Sequence, residues 1–446
     1  MSSMKLYDTI INIVERNIAP LAVKIGNQKH IRAMRDGFII AMPFIIVGSF
    51  ALVLAFPPFA EDTQNAFGRA WLDFASANFD NIMMPFQMTM GLMAIFVSLG
   101  IGYSLARAYK MDGITCASLS LMSFLVASAP ATNDTLSMGH MSGTGIFTAV
   151  ISAFFSVELL RILKKYNITI RLPEQVPPAI ARSFEMLIPV VVVFLTLFPL
   201  SLFVQAQYDM LIPDLVLQMF RPLVSASNTL PAIIGALLVC QLLWFAGIHG
   251  AAIVVGLLSP IFLTNMGANQ AAYLAGEPIP NVFTQPFWDF YIFIGGSGAT
   301  LALVILMMFS RSVHLRSLGR MSFVPGFFQI NEPVIFGSPL VLNPTMFIPF
   351  VFAPVLNAVI AYTAVHMGIV GMGISQTAWT APALLGASWG SGWTLSPVLL
   401  VIALLVMDLF IYLPFFKMFE KQLLEEEGKS ASKEQGSEEA PAPATA

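Results

Sequence analysis

Residues 37–56, GFIIAMPFIIVGSFALVLAF, run for twenty positions without a charged side chain. A helix of that length rises about 30 Å, the thickness of a bilayer's hydrocarbon core. The rest of the chain has the same character. Of 446 residues, 57% are hydrophobic and 11% are charged, against roughly 25% charged in a soluble domain. So much apolar surface does not fit into a water-soluble core. The composition also excludes a disordered chain, a disulfide scaffold and a nucleic-acid binder, and a net charge of −3 implies no polyanionic partner. A polytopic membrane protein remains.

Nine further apolar segments follow, near 86–106, 114–129, 143–163, 185–206, 231–246, 250–265, 289–310, 345–366 and 396–416, two of them short. The expectation is an all-α integral membrane fold of about ten transmembrane helices. The stretch 323–343 is apolar too, but Pro325, Asn331, Glu332, Pro333 and Pro339 break it. It reads as a re-entrant hairpin, because non-helical backbone survives at membrane depth only where protein or a water-filled cavity surrounds it.

Basic residues test this count. With the N-terminus inside, the inner loops are 107–113, 164–184 and 311–322. With both chain ends and Arg161 at an inner helix end they hold twenty of the 22 Lys and Arg, from Lys5 and Arg35 through Arg171, Arg182 and Arg316 to Lys417. Only Arg69 and Arg221 fall outside. This asymmetry implies an even number of spans with both termini cytoplasmic. Residues 1–35 carry six basic side chains and no small-residue cleavage site, so no secretory signal is read there.

The expected organisation is a five-span N-terminal membrane half over 1–206, an interfacial amphipathic helix over 207–222, a C-terminal half over 223–420 and a disordered acidic tail over 421–446. Cys116 and Cys240 lie far apart in apolar segments and read as buried packing. No metal site, cofactor motif or ATPase signature is present in the sequence.

From Pro222 to Ser310, and again from Met321 to Phe416, there is no Lys or Arg. A few polar groups stand out there: His249 in WFAGIHG, Asp289 in FWDFYIF, and Asn331 and Glu332 in QINEPVIFG. An ionisable group at mid-membrane costs about 2.5–3.5 kcal/mol or more, so it reads as functional by default. The bland alternatives are a helix-end role for His249, a structural pair or hairpin cap for Glu332, and helix capping for Asp289. Asp408 reads as a bond within the bundle. Gly295, Gly296, Ser297 and Gly298 read as a close helix-packing surface. Trp244 precedes His249, and Trp379, Trp389 and Trp393 cluster late. Such indoles anchor at interfaces or form apolar walls for a sugar ring; for Trp379 both readings stand. Carboxylate, amide and imidazole beside aromatic walls is a set suited to a polyhydroxylated neutral ligand.

WFAGIHG, GGSGATL and FFQINEPVIFGSP, together with LAVKIGNQKHIRAMRDGFIIAMPF, LPEQVPPAIARSF and NPTMFIPF, resemble the IIC component of the lactose/cellobiose/diacetylchitobiose family of the bacterial phosphoenolpyruvate-dependent sugar phosphotransferase system. The resemblance runs in order over roughly residues 15–420. It implies a homodimer in the cytoplasmic membrane, ten spans with re-entrant hairpins, and a sugar site in the C-terminal half. His249 and Glu332 would then hold the hydroxyl that becomes phosphorylated, beside Asn331, with Trp379 as a further contact; Trp244 is a candidate contact from its place before His249. The implied activity is translocation of a β-linked disaccharide with 6-phosphorylation by a phosphocysteine of a separate IIB protein, itself charged by IIA. A proton-coupled symporter with Glu332 as proton carrier is the alternative. A lipid-acting membrane enzyme would be expected to show a nucleophile or metal constellation at one interface.

Overall fold

The structure, a computed structural model, describes residues 16, 19–129, 131–132, 135–170, 172–173, 175–177, 184–338, 340 and 343–438. Lys5, Arg171, Arg182, Pro339 and the tail from residue 439 lie outside the described residues.

Eighteen α-helices dominate the described residues. The N-terminal half holds α1 (Ala19–Gly26), α2 (Lys29–Ala55), α3 (Ala66–Ala77), α4 (Phe79–Thr89), α5 (Met93–Ala108), α6 (Gly113–Ser128), α7 (Ile146–Lys165) and α8 (Leu187–Tyr208). A two-residue hairpin, Ala131–Thr132 with Thr135–Leu136, caps the α6–α7 loop. The C-terminal half comprises α9 (Ile212–Ser227), α10 (Leu230–Phe245), α11 (Gly250–Leu274), the short α12 (Gln285–Phe287), α13 (Leu301–Met308), α14 (Val313–Phe327), α15 (Glu332–Gly337), α16 (Pro344–His366), α17 (Ala383–Gly390) and α18 (Ser396–Glu438). Among the described residues seven helical segments are long and apolar enough to cross a membrane, one of them running from α4 through α5; α9 with α10 makes an eighth, bent by 80°, and the shorter α6 is also apolar. The protein is an all-helical, multi-pass membrane protein.

Local chemistry sets the ends. The Gln28 side chain accepts from the Ile31 N–H to start α2, and Pro57 and Pro58 follow its end, where proline cannot continue a helix. Asp112 caps α6 by accepting from Thr115. Asp209, at φ +52°, stops α8, and Asp214 accepts from the Leu211 N–H at the start of α9. The amphipathic helix therefore lies at 212–227 rather than 207–222, because α8 carries on to Tyr208.

Two large cores form. In the N-terminal half α2 crosses α5 with no side chain between them: a Cβ on Gly100 would sit 2.5 Å from the Gly37 carbonyl oxygen. Phe38, Ile45, Leu52, Val97, Ile101 and Phe124 pack around this crossing. In the C-terminal half Phe283, Trp288, Phe290, Phe350 and Tyr412 are buried together. Helix α11 belongs to both: Val254 and Phe262 join the second core, Leu263 and Met266 the first.

Three segments depart from the sequence reading. The span read at 289–310 is not one helix. It is a wide π-type turn over Trp288–Ile292, an irregular loop, and then α13. Gly295, Gly296, Gly298 and Ala299 all take positive φ in that loop, so GGSG is a chain break within the bundle and not a flat packing face. Helix α11 runs to Leu274, well beyond the short segment read at 250–265. The last helix continues to Glu438. Its polar end does not leave the protein, because Glu420 accepts from Ser310 Oγ at 2.6 Å and the Arg311 N–H at 2.7 Å. Glu427 accepts from Ser312 Oγ at 2.6 Å, one residue before α14 begins. The 323–343 stretch breaks as read, between α14 and α15, with Gln329 at φ +65°.

Candidate functional site

A cavity of about 410 Å³ opens between α2 of the N-terminal half and the broken elements of the C-terminal half. That is within the size range of small-molecule pockets. Its walls bring together His249, Glu332, Asn331, Trp244 and Trp379, the five residues expected from sequence to contact the sugar, with Asp289, also marked in the sequence, and add Arg35.

His249 is placed by the chain turn between α10 and α11. Gly247, at φ +77°, lets the backbone turn. His249 then caps α11: its Nδ1 accepts from the Ala252 N–H at 3.1 Å. With Nδ1 as acceptor, neutral His249 carries its proton on Nε2. That nitrogen faces Glu332 Oε1 at 3.6 Å. The helix cap therefore uses one ring nitrogen and leaves the other facing Glu332 in the cavity. The Trp244 indole lies against the imidazole, ring centroids 4.3 Å apart.

Glu332 opens α15 directly after the break. Both side chains of the His249–Glu332 pair are about half exposed to the cavity, at 53% and 43%. The separation is slightly beyond a direct hydrogen bond, and a hydroxyl beside the pair in the open cavity can reach both the donor and the acceptor.

Asn331 behaves differently from its neighbour. It is buried, and its Nδ2 donates to the Ser297 carbonyl at 2.6 Å and Thr300 Oγ1 at 2.9 Å. Both amide hydrogens hold the 293–300 loop, so only Oδ1 remains for a ligand. A Cβ on Gly296 would lie 2.5 Å from Asn331 Cγ, so a glycine is required at this contact. Gln329 works from the other side: it donates to the Asp289 carbonyl at 2.7 Å and accepts from the Gly295 N–H. The QINE segment therefore has two jobs. Gln329 and Asn331 fasten one chain break to the other, and Glu332 faces the cavity.

Asp289 was read as a helix cap. The segment start is instead Thr284, whose side chain makes no capping bond, and Asp289 lies inside the wide turn on the cavity wall. Its Oδ2 is buried without a protein partner, as is Trp244 Nε1. A buried polar atom left unpaired costs about 1–3 kcal/mol, so such atoms at a cavity wall mark places for ligand groups. The sequence marked Asp289 as an outlying polar group but left helix capping as its alternative reading, because a π-type turn has no sequence signature. Sequence reasoning missed Arg35 because the N-terminal basic cluster was counted for topology alone.

The late tryptophans separate. Trp379, 48% exposed, lies on the loop between α16 and α17 and lines the cavity. Trp389 and Trp393 stack on each other at 5.5 Å, and Phe50 of α2 packs on Trp389 at 5.3 Å. Asp408 accepts from Asn357 Nδ2 at 3.0 Å, a bond within the bundle as read. Among the described residues no group of three or more His, Cys, Asp or Glu side chains is arranged to hold a metal ion.

A helical membrane protein whose interior cavity offers indoles, carboxylates and an imidazole is built to handle a polar organic solute. The comparisons with known proteins agree. The family model described as "Phosphotransferase system, EIIC" matches residues 35–354, and the chain belongs to that family. It is a permease subunit of a sugar phosphotransferase system. The chain is 37% identical over 442 residues to the cellobiose-specific EIIC component of Geobacillus stearothermophilus, covering 94% of this chain and 96% of that protein. It is 35% identical over 435 residues to the lichenan permease IIC component of Bacillus subtilis, covering 93% and 94%. The lactose-specific EIICB component of Staphylococcus aureus is 36% identical over 428 residues, 93% of this chain and 73% of that protein. Among solved structures, the transporter ChbC, the IIC component from the N,N'-diacetylchitobiose-specific system, superposes with a TM-score of 0.86 at 36% identity, covering 93% of this chain and 99% of that one.

Proposed function

We propose that the cavity binds a β-linked disaccharide of the cellobiose or diacetylchitobiose kind and presents its 6-hydroxyl between His249 and Glu332. The observation that carries this is the coincidence of four features in one cavity: the open His249–Glu332 pair, the unpartnered Asp289 Oδ2 and Trp244 Nε1, and the exposed indole of Trp379. A pyranose has hydroxyls around its rim and an apolar C–H face. Asp289 accepts from one hydroxyl, Trp244 Nε1 donates to another, and Trp379 covers the face. The relatives named for cellobiose and diacetylchitobiose support the substrate class.

In this reading the chain spans the cytoplasmic membrane with both termini inside and pairs as a homodimer through its N-terminal half. Sugar enters from outside and meets a phosphocysteine of a IIB protein, a separate chain charged by IIA, from the cytoplasm. His249 orients the 6-hydroxyl through Nε2, and Glu332 accepts its proton as the oxygen attacks phosphorus. Phosphoryl transfer depends mainly on in-line positioning and charge stabilisation, and a base adds about 10²- to 10⁴-fold. The charged product does not return through the site.

The test is equilibrium binding of a disaccharide panel to the purified protein, together with phosphorylation by phospho-IIB. Micromolar binding of a β-linked disaccharide and formation of its 6-phosphate are expected. Accumulation of free sugar against a gradient, collapsed by a protonophore, would establish the symporter instead.

A further inference from the structure

We propose that Arg35 is a phosphate-binding residue, which meets the phosphoryl group during transfer and holds the 6-phosphate of the product before release. This rests on the reading of the cavity as the sugar site.

The argument begins with charge. The sugar is neutral, and the cavity wall already carries two carboxyl groups, Asp289 and Glu332. The reaction brings a doubly charged phosphoryl group into that surrounding, where like charges repel strongly unless a cation is at hand. The C-terminal half offers no Lys or Arg from Pro222 to Ser310, nor from Met321 to Phe416. Among the described residues lining the cavity, Arg35 is the sole Lys or Arg, and it comes from α2 of the other half. A neutral ligand needs no such residue, but a phosphorylated one does.

The placement fits. Arg35 begins a stripe on α2, continued by Phe38, Met42 and Ile45, that faces the cavity at helical spacing. Its stem lies flat on α11, where a Cβ on Gly256 would be only 3.2 Å from Arg35 Cβ. Gly256 is seven residues along α11 from His249, about 10 Å. A guanidinium and a phosphoryl group together bridge such a gap. Asp36 holds one edge of the fork: Nε and Nη2 both donate to its Oδ1, at 2.9 and 2.8 Å. The Nη1 hydrogens remain for another acceptor, and paired N–H donors suit phosphate oxygens.

The step balances as follows. Sugar O6 attacks phosphorus, the O6–P bond forms and the P–S bond to the IIB cysteine breaks. The thiolate leaves with the electron pair, and the O6 proton passes to Glu332. Arg35 stays protonated throughout, bonds the non-bridging oxygens and exchanges no proton.

The experiment measures binding of a disaccharide and of its 6-phosphate to the full-length wild-type, Arg35→Gln and Arg35→Lys proteins, by calorimetry. Arg35→Gln is expected to weaken the 6-phosphate by about tenfold or more, since a charged hydrogen bond is worth about 1.5–3 kcal/mol, while the neutral sugar changes by less than about threefold. Arg35→Lys keeps the charge without the fork and recovers part of the loss. Turnover with phospho-IIB falls in kcat while KM for sugar holds. Equal weakening of both ligands, or of neither, overturns the proposal and leaves the sugar site standing. A wild-type protein that binds neither ligand overturns the sugar-site reading, and this proposal with it.

Discussion

Replacing Glu332 with Gln tests the chemistry of the site with little change of shape. Gln has the same length and keeps one acceptor oxygen, so a 6-hydroxyl still finds a partner opposite His249 Nε2, which lies 3.6 Å from the present carboxylate. What is lost is charge and the capacity to take a proton. A hydrogen bond to a charged group is worth about 1.5–3 kcal/mol and a neutral one about 1. Glu332 is 43% exposed, so solvent screening trims the difference to about 1 kcal/mol, or roughly fivefold in Kd. The kinetic loss is larger, because a general base contributes about 10²- to 10⁴-fold. Turnover with phospho-IIB should therefore fall at least about a hundredfold while sugar binding weakens roughly fivefold. His249→Ala should harm both, since it removes the orienting nitrogen and the ring packed on Trp244. Equilibrium binding beside initial phosphorylation rates, on the same preparations, gives the two numbers. Wild-type phosphorylation by Glu332→Gln would make Glu332 a structural residue of the hairpin and refute the assignment.

Other perturbations separate scaffold from site. Asn331→Ala removes two bonds to the 293–300 loop and leaves a buried carbonyl unpaired, a cost of about 2–3 kcal/mol, read as a lower Tm in detergent. Ser49→Ala should loosen the contact between α2 and the 375–379 loop: Ser49 Oγ accepts from the Gln376 N–H at 2.8 Å, a bond alanine removes, while the Ser375 hydroxyl still donates to the Ser49 carbonyl at 3.2 Å. A cysteine placed at Trp379 should then react faster with an impermeant thiol reagent from outside, and an unchanged rate would count against a seal there. Glu420→Ala breaks the contacts to Ser310 and Arg311 and should lower Tm while sugar affinity holds. Single cysteines at Ser76 and Lys421 should be reached from outside and inside respectively; equal labelling of both in intact cells refutes the proposed topology.

The sequence by itself determined the solvent, the class of fold and several of the polar residues that meet in the cavity. Uncharged runs long enough to span hydrocarbon have few other uses, and the basic loops order them. His249, Glu332 and Asn331 were legible because ionisable and amide groups are expensive in an apolar background and stand out there. The tertiary structure decided what each of them does. Asn331 and Glu332 are adjacent in the chain, yet one is a buried tie and the other faces the cavity, because the turn into α15 sends successive side chains in different directions. GGSG became a loop rather than a packing face, since Gln329 and Asn331, over thirty residues away, replace the helical hydrogen bonds it gives up. Asp289 and Arg35 joined the site only when the π-type turn and the α2–α11 packing carried them to it. Composition registers what a residue costs to bury, whereas the direction it faces is set by partners tens to hundreds of positions distant, and a single sequence does not record that pairing.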